Sequence, residues 1–263
     1  MPVSMKPMDE NLRNGVENYL AENSPSNIYI LGDLEARDER ISFRVALSDK
    51  EIVGVMATFE FPDYPIIWII GNIESAEAFS TGINLDRFVI ITEMRLLPVM
   101  QKSLENIKFY HEDVMRIFTR NLISRKSHSA RKVDPSEYML WARSLNNGIL
   151  PSDRILRRAK SDLKDFDCFG YFLDGRIVSR GVFYIKSSYG WAIGAVYTLP
   201  EHRGNGYAGD TVSTMVEYAK QKTDSVILFV RSDNEPALRA YRKIGFEKVG
   251  DRIFIDRNTG QVP

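Results

Sequence analysis

The chain has 263 residues, 44% hydrophobic and 27% charged, with Lys plus Arg and Asp plus Glu both at 35. Such a balance excludes a disordered chain, and zero formal net charge gives no electrostatic case for bulk nucleic-acid or anionic-membrane binding. The one cysteine, Cys168, excludes an intramolecular disulfide and suits a reducing compartment, so the cytoplasm is the default location. From Met1 to Pro7 there is no apolar stretch of signal-peptide length, and the densest apolar run, Ile66 to Ile70, is far too short to cross a bilayer.

In chain order, Glu10 to Leu20 reads as a helix with Leu12, Val16, Tyr19 and Leu20 on one face, broken by Asn23-Ser24-Pro25-Ser26-Asn27. Strands follow at Ile41 to Leu47 and Ile52 to Phe59, around a turn at Asp49-Lys50. Further strands are Ile66 to Ile70 and Phe88 to Thr92, and Met94 to Leu104 reads as a helix that Pro98 weakens. Arg120 to Lys132 has charges but no period and reads as a solvated linker, with an anion-binding patch as the sharper alternative. Pro135 to Leu145 is helical, with Tyr138, Trp141, Ala142 and Leu145 on one face. Phe169 to Leu173 and Ile177 to Ile185 form a hairpin around Asp174-Gly175, and Trp191 to Thr198 is the next strand. Each half thus shows two strands around a tight turn and then a third, a faint repeat whose N-terminal copy lacks a following glycine loop. The expected organisation is an N-terminal α/β domain over residues 1–112, a catalytic domain over 113–257 and a tail over 258–263.

The stretch from Val196 to Ala208 joins an apolar strand to an amphipathic helix in which Val212, Met215, Val216 and Ala219 share a face. Pro200 stops the strand, while Gly204 and Gly206 let the backbone curl with its N–H groups inward. The helix start adds unpaired N–H groups and a positive dipole end. Together these suit a pyrophosphate, with Arg203 able to add a charge contact. No Gly-Lys-Ser/Thr closes the loop, and the third glycine of a dinucleotide fingerprint is absent. A plain strand-to-helix turn is the blander reading of the same residues.

This stretch resembles motif A of the Gcn5-related N-acetyltransferases, Arg/Gln-x-x-Gly-x-Gly/Ala. Glu201 stands where that family usually has Arg or Gln, and Arg203-Gly204-Asn205-Gly206-Tyr207-Ala208 otherwise fits. Beyond a short apolar strand, Val226 to Val230, lies a segment that resembles the family's motif B, Asn-x-x-Ala-x-x-x-Tyr-x-Lys-x-Gly-Phe, at Asn234, Ala237, Tyr241, Lys243, Gly245 and Phe246. Asp233 or Asn234 can cap that helix, Pro236 suits its first turn and Gly245 its end. A spacing of seven puts Asn234 and Tyr241 on one side of a helix, facing a common cleft.

The resemblance covers roughly Val114 to Ile255. It implies an α+β fold with a mixed, mostly antiparallel sheet flanked by helices; it does not obviously cover the first half, where the strand order of the faint repeat points to an α/β domain that is a degenerate copy of the same fold. It also implies that acetyl-CoA lies along Val196, Tyr197 and Thr198, with its pyrophosphate on the loop from Arg203 to Ala208 and Asn234 nearby. A neutral amine of a small molecule or peptide then attacks the thioester, strand N–H groups near Val196 stabilise the developing oxyanion, and Tyr241 protonates the departing thiolate. A tyrosine at about 10 and a thiol at about 8.5 differ little, a gap that local polarity is expected to close. No general base is identifiable; Glu201 and His202 read as solvated loop residues. His111, His128 and His202 have no metal-ligand spacing, so no metal is expected. The alternatives are transfer of a longer acyl chain, as in the glycine N-acyltransferase-like branch, and a non-enzymatic acyl-CoA sensor. Apart from the amine, a second copy of the chain, as a homodimer, is the partner considered.

Overall fold

The computed structural model describes residues 3–61, 63–123 and 129–260. The chain divides into two compact units, one of residues 1–114, 230–233 and 249–263 and the other of residues 115–229 and 234–248.

The first unit begins with β1 (Ser4–Pro7), α1 (Glu10–Ala21) and α2 (Ser24–Ala36). Next come β2 (Ile41–Ser48), β3 (Glu51–Phe59), β4 (Ile66–Gly71), α3 (Ile73–Thr81), β5 (Phe88–Thr92), α4 (Leu97–Ser103) and β6 (Lys108–Phe118), whose last residues belong to the second unit. The turn between β2 and β3 is as tight as expected: Asp49 and Lys50 both have positive φ, the geometry that matches strand twist in a two-residue hairpin. The break at Asn23 is short. Pro25 sits in the first turn of α2, which buries Ile28, Ile30, Leu31 and Leu34 and so has no polar stripe to betray it in sequence. Pro98 likewise starts α4 rather than weakening a longer helix.

The second unit contains β7 (Ala130–Lys132), α5 (Tyr138–Leu145), α6 (Asp153–Asp165), β8 (Asp167–Leu173), β9 (Arg176–Ser187), β10 (Gly190–Thr198), α7 (Tyr207–Ala219), β11 (Ser225–Arg231) and α8 (Glu235–Lys243). The last strand, β12 (Glu247–Arg257), runs mainly in the first unit. Part of the expected linker is therefore a strand: Ala130, Arg131 and Lys132 pair with Tyr171, Gly170 and Phe169 of β8. Arg131 is held by Glu137 and lies over the Phe172 ring, and Lys132 bonds Asp167, so neither reads as an anion patch. Residues 124–128 of that stretch, His128 among them, lie outside the described residues.

Strand order is β1-β2-β3-β4-β5-β12 in the first unit and β11-β10-β9-β8-β7 in the second. Pairing is antiparallel except β4 with β5 and β10 with β11, which are parallel. Elements β1 to β6 and β7 to β12 follow the same succession of strands and helices, so the faint sequence repeat is a structural one. The closing strand of the second copy pairs antiparallel with β5 of the first, Ile253 opposite Thr92 and Arg257 opposite Phe88. In the first unit Ile67, Ile69, Phe79, Phe88, Ile90, Leu96, Ile253 and Ile255 form the core. In the second, Trp141 of α5 and Ala159 and Leu163 of α6 form one core with Cys168, Ile177 and Val182 of β8 and β9.

Candidate active site

The site is built where β10 leaves β11. The two strands are paired only at Trp191, Ala192 and Ile193, opposite Val226, Ile227 and Leu228. On its other side β10 stays paired with β9 as far as Thr198. Between Gly194 and Tyr197 the register with β9 shifts: two residues of β10, Ala195 and Val196, stand against Gly181 alone. Ala195 takes φ +50 to make this bulge, a left-handed conformation that costs an alanine about 1 kcal/mol. Strain of this kind persists where it serves a purpose, and here it sits just beyond the point where β10 and β11 part.

Beyond the bulge, Thr198 leads through a short 3-10 turn at Pro200–His202 to the glycine loop. Gly204 and Gly206 both have φ +82, so the curl expected of them is present. No side chain caps α7, whose first N–H groups at Tyr207, Ala208 and Gly209 have no helical carbonyl to meet. A Cβ built on Gly204 meets nothing within 4 Å, so open space stands beside the loop. These uncovered donors and that space fit a pyrophosphate.

The same place in the first copy does not. There a single residue, Asn72, joins β4 to α3 and accepts a hydrogen bond from Ser75 N at 2.9 Å, capping the helix itself. The Ser75 hydroxyl bonds Val53 O and Asn72 O, and a Cβ on Gly71 would come within 2.7 Å of Gly54 Cα and Val53 O. The N-terminal copy has closed this space with its own atoms, as the missing glycine loop implied.

The side chains of the loop are occupied locally. Arg203 Nε donates to Thr198 O at 3.2 Å and its guanidinium lies 5.5 Å from the Tyr197 ring. Asn205 Nδ2 donates to His202 O and Arg203 O, bracing the curl, and Tyr207 stacks on Tyr171 at 4.2 Å. Tyr197 donates its hydroxyl proton to Asn147 Oδ1 at 2.7 Å, tying β10 to the α5–α6 connection. Ala208 is half-buried in the first turn, and Val196 lies with Met215 of α7 over Gly181.

Asn234 and Tyr241 occupy different environments. Asn234 is exposed and caps α8, accepting from Ala237 N at 3.3 Å, while Tyr241 is 6% exposed with its ring 6.0 Å from Phe246. Asn234, with ψ 66, is the N-cap of α8 and not a residue of its first turn. Nor does local polarity bring Tyr241 toward the thiol range: burial, the only cause acting on it, pushes its phenol well above the usual tyrosine value. Tyr241 therefore keeps its proton throughout the neutral range. Cys168 is buried beneath α6 and burial pushes its thiol up to about 12, which leaves it no nucleophilic role.

Sequence reasoning missed Arg180 and Asn147. The first carried a signal, a cation inside the apolar run Ile177-Val178-Ser179-Arg180-Gly181-Val182-Phe183; the second, in a polar loop, carried none.

Comparison with known proteins agrees with this geometry. Residues 182–255, which span the bulge, the loop and motif B, match the family described as FR47-like protein. A GCN5-related N-acetyltransferase from Sphaerobacter thermophilus superposes with a TM-score of 0.64 at 14% identity, over 99% of this chain and 98% of that one. The chain has the fold of the Gcn5-related N-acetyltransferases. This GNAT fold occurs twice: a tandem GNAT protein from the clavulanic acid biosynthesis pathway superposes over 98% of this chain and 100% of its own, with a TM-score of 0.60 at 11% identity. In sequence, 59 residues are 37% identical to the mycothiol acetyltransferase of Corynebacterium aurimucosum, covering 21% of this chain and only 19% of that protein. Among the described residues no helix is long and apolar enough to cross a membrane, and no cluster of His, Cys, Asp and Glu could hold a metal ion.

Proposed function

We propose that the second GNAT unit binds acetyl-CoA and transfers its acetyl group to a primary amine of a small molecule or peptide. The observation that carries this reading is the strained bulge at Ala195, set where β10 and β11 part and followed at once by the uncapped, glycine-curled start of α7. Acetyl-CoA supplies a thioester when bound. The loop donors from Arg203 to Ala208 hold its pyrophosphate, and Val196, Tyr197 and Thr198 line its arm. Main-chain N–H groups at the bulge donate to the acyl oxygen as it gains charge.

In the reaction the amine nitrogen bonds the acyl carbon, the carbon–sulfur bond breaks, the amine passes one proton to solvent water, and the leaving sulfur gains one from a donor that solvent then reprotonates. Tyr241 is that donor. Its raised pKa means that it releases the proton only as charge builds on sulfur, not as a free acid beforehand. The first unit, whose equivalent space is closed by Asn72 and Ser75, binds no coenzyme in this account.

Thiol release from acetyl-CoA, followed with a panel of amines, tests the reading. Amine-dependent release supports it. Tight CoA binding without release for any amine would leave a sensor, and faster release from longer acyl chains would replace acetyl by a larger group.

A further inference from the structure

Strand β9 turns Arg180 toward the face covered by α5. Its Nη1 donates to the carbonyl oxygen of Ser144 in the last turn of α5, and its guanidinium lies 4.6 Å from the Tyr197 ring. Its Nε is buried without a hydrogen-bond partner. Among the described residues no carboxylate pairs with it. The charges that face it come from α6, Arg158 and Asp162, with Tyr184 of its own strand and Tyr197 of β10 beside them. Asp162 is already engaged by Trp141 Nε1 at 3.0 Å and by Arg158 at 3.8 Å. Two arginines therefore share one carboxylate that is spent elsewhere. Burial pulls Arg180 down to about 10, the mark of a cation whose lost hydration has not been replaced. A carbonyl and a ring face offset part of that cost, but neither is a counter-charge, and a buried charge without one is costly to keep.

Its position gives the charge a use. Arg180 is the register partner of Tyr197, the residue that ends the bulge, so it stands directly beside the main chain that receives the acyl oxygen in the proposed reaction. It lies on the α5 face, whereas Val196 lies with Met215 toward α7. We propose that Arg180 binds an anionic group of the acceptor, so that the amine acetylated here carries a carboxylate close to its nitrogen. The inference rests on the proposed transferase activity and deepens it. An arginine suits the task, since its planar guanidinium carries several N–H donors that match a carboxylate.

The test compares three amines of similar length, β-alanine, β-alanine amide and 2-aminoethyl phosphate, with the wild type, Arg180→Lys and Arg180→Met. Thiol release gives kcat/KM, calorimetry gives the CoA Kd, and urea denaturation gives stability. The expected result is at least a tenfold preference of the wild type for β-alanine over its amide. Arg180→Met should abolish that preference, Arg180→Lys should keep part of it, and the CoA Kd should stay within threefold. Arg180→Met should also be no less stable than the wild type, because it removes an unpaired charge. The inference is overturned if the wild type shows no preference, if Arg180→Met keeps it, or if that variant is simply destabilised, which would make Arg180 a cap for α5. Preference for the phosphate would overturn the carboxylate assignment. If CoA gives no heat, the transferase reading fails by itself. The anion site is then judged by thermal shift with sodium acetate: protection of the wild type but not of Arg180→Met sustains it, and equal behaviour overturns it.

Discussion

Replacing Tyr241 by Phe separates catalysis from packing unusually well. The ring is 6% exposed and packs near Phe246. Removing the hydroxyl oxygen leaves the packing of the ring in place, so stability should change by less than about 1 kcal/mol. Activity should behave differently. A positioned general acid contributes roughly 100- to 10,000-fold, so kcat for acetyl-CoA should fall by about 3 to 5 kcal/mol in barrier terms. The raised phenol pKa favours a large loss only for poor leaving groups, which need the proton most. An acetyl thioester of an acidic aryl thiol needs no protonation, and on it Tyr241→Phe should work nearly as well as the wild type. The assay is thiol release from both donors, with the CoA Kd measured by calorimetry and stability by urea denaturation. A kcat on acetyl-CoA within threefold of wild type, or equal losses on both donors, would remove Tyr241 from proton transfer.

Asn72→Ala should destabilise the chain by about 1 kcal/mol through loss of the α3 cap, with the CoA Kd unchanged; a weakened Kd would mean the first copy takes part in binding. Asp33 gives a pH dependence. Burial, with Asp38 nearby, raises its carboxyl from 3.8 to about 7, so the folded chain holds a proton there that the unfolded chain has released. Its contribution is therefore full below about pH 4, declines as pH rises to about 7, and then levels off at a loss of up to a few kcal/mol. Asp33→Asn should flatten that decline in urea midpoints between pH 4.5 and 8, and an unaltered slope would contradict the assignment.

The parts of the fold legible in sequence were those with a local cause. Asp49-Lys50 and Asp174-Gly175 announced their hairpins, and Val212, Met215, Val216 and Ala219 announced α7, because turn chemistry and periodicity are written within a few residues. Helix α2 was hidden because its buried residues leave no clean stripe, and β6 because Glu112 and Asp113 interrupt its apolar pattern. Both are buried, Glu112 bonded by Arg252 Nε at 2.6 Å and Asp113 by the Ser232 hydroxyl at 2.6 Å. Such partners are more than a hundred residues away in the chain, so no local pattern foretells them. Helix α6 went unread despite a stripe at Ile155, Ala159 and Leu163. At the site, Gly204 and Gly206 were legible because only their backbone matters. The Ala195 bulge was not, since an alanine in the left-handed region leaves no mark in composition.

Titration calorimetry of the full chain with CoA tests the central claim most directly, run beside Gly204→Val, whose side chain is strained at φ +82 and would also occupy the open space at the loop. One site per chain is predicted, weakened at least tenfold by the valine while the variant still unfolds cooperatively. Two sites, no heat, or a valine variant that binds as well as the wild type would contradict it.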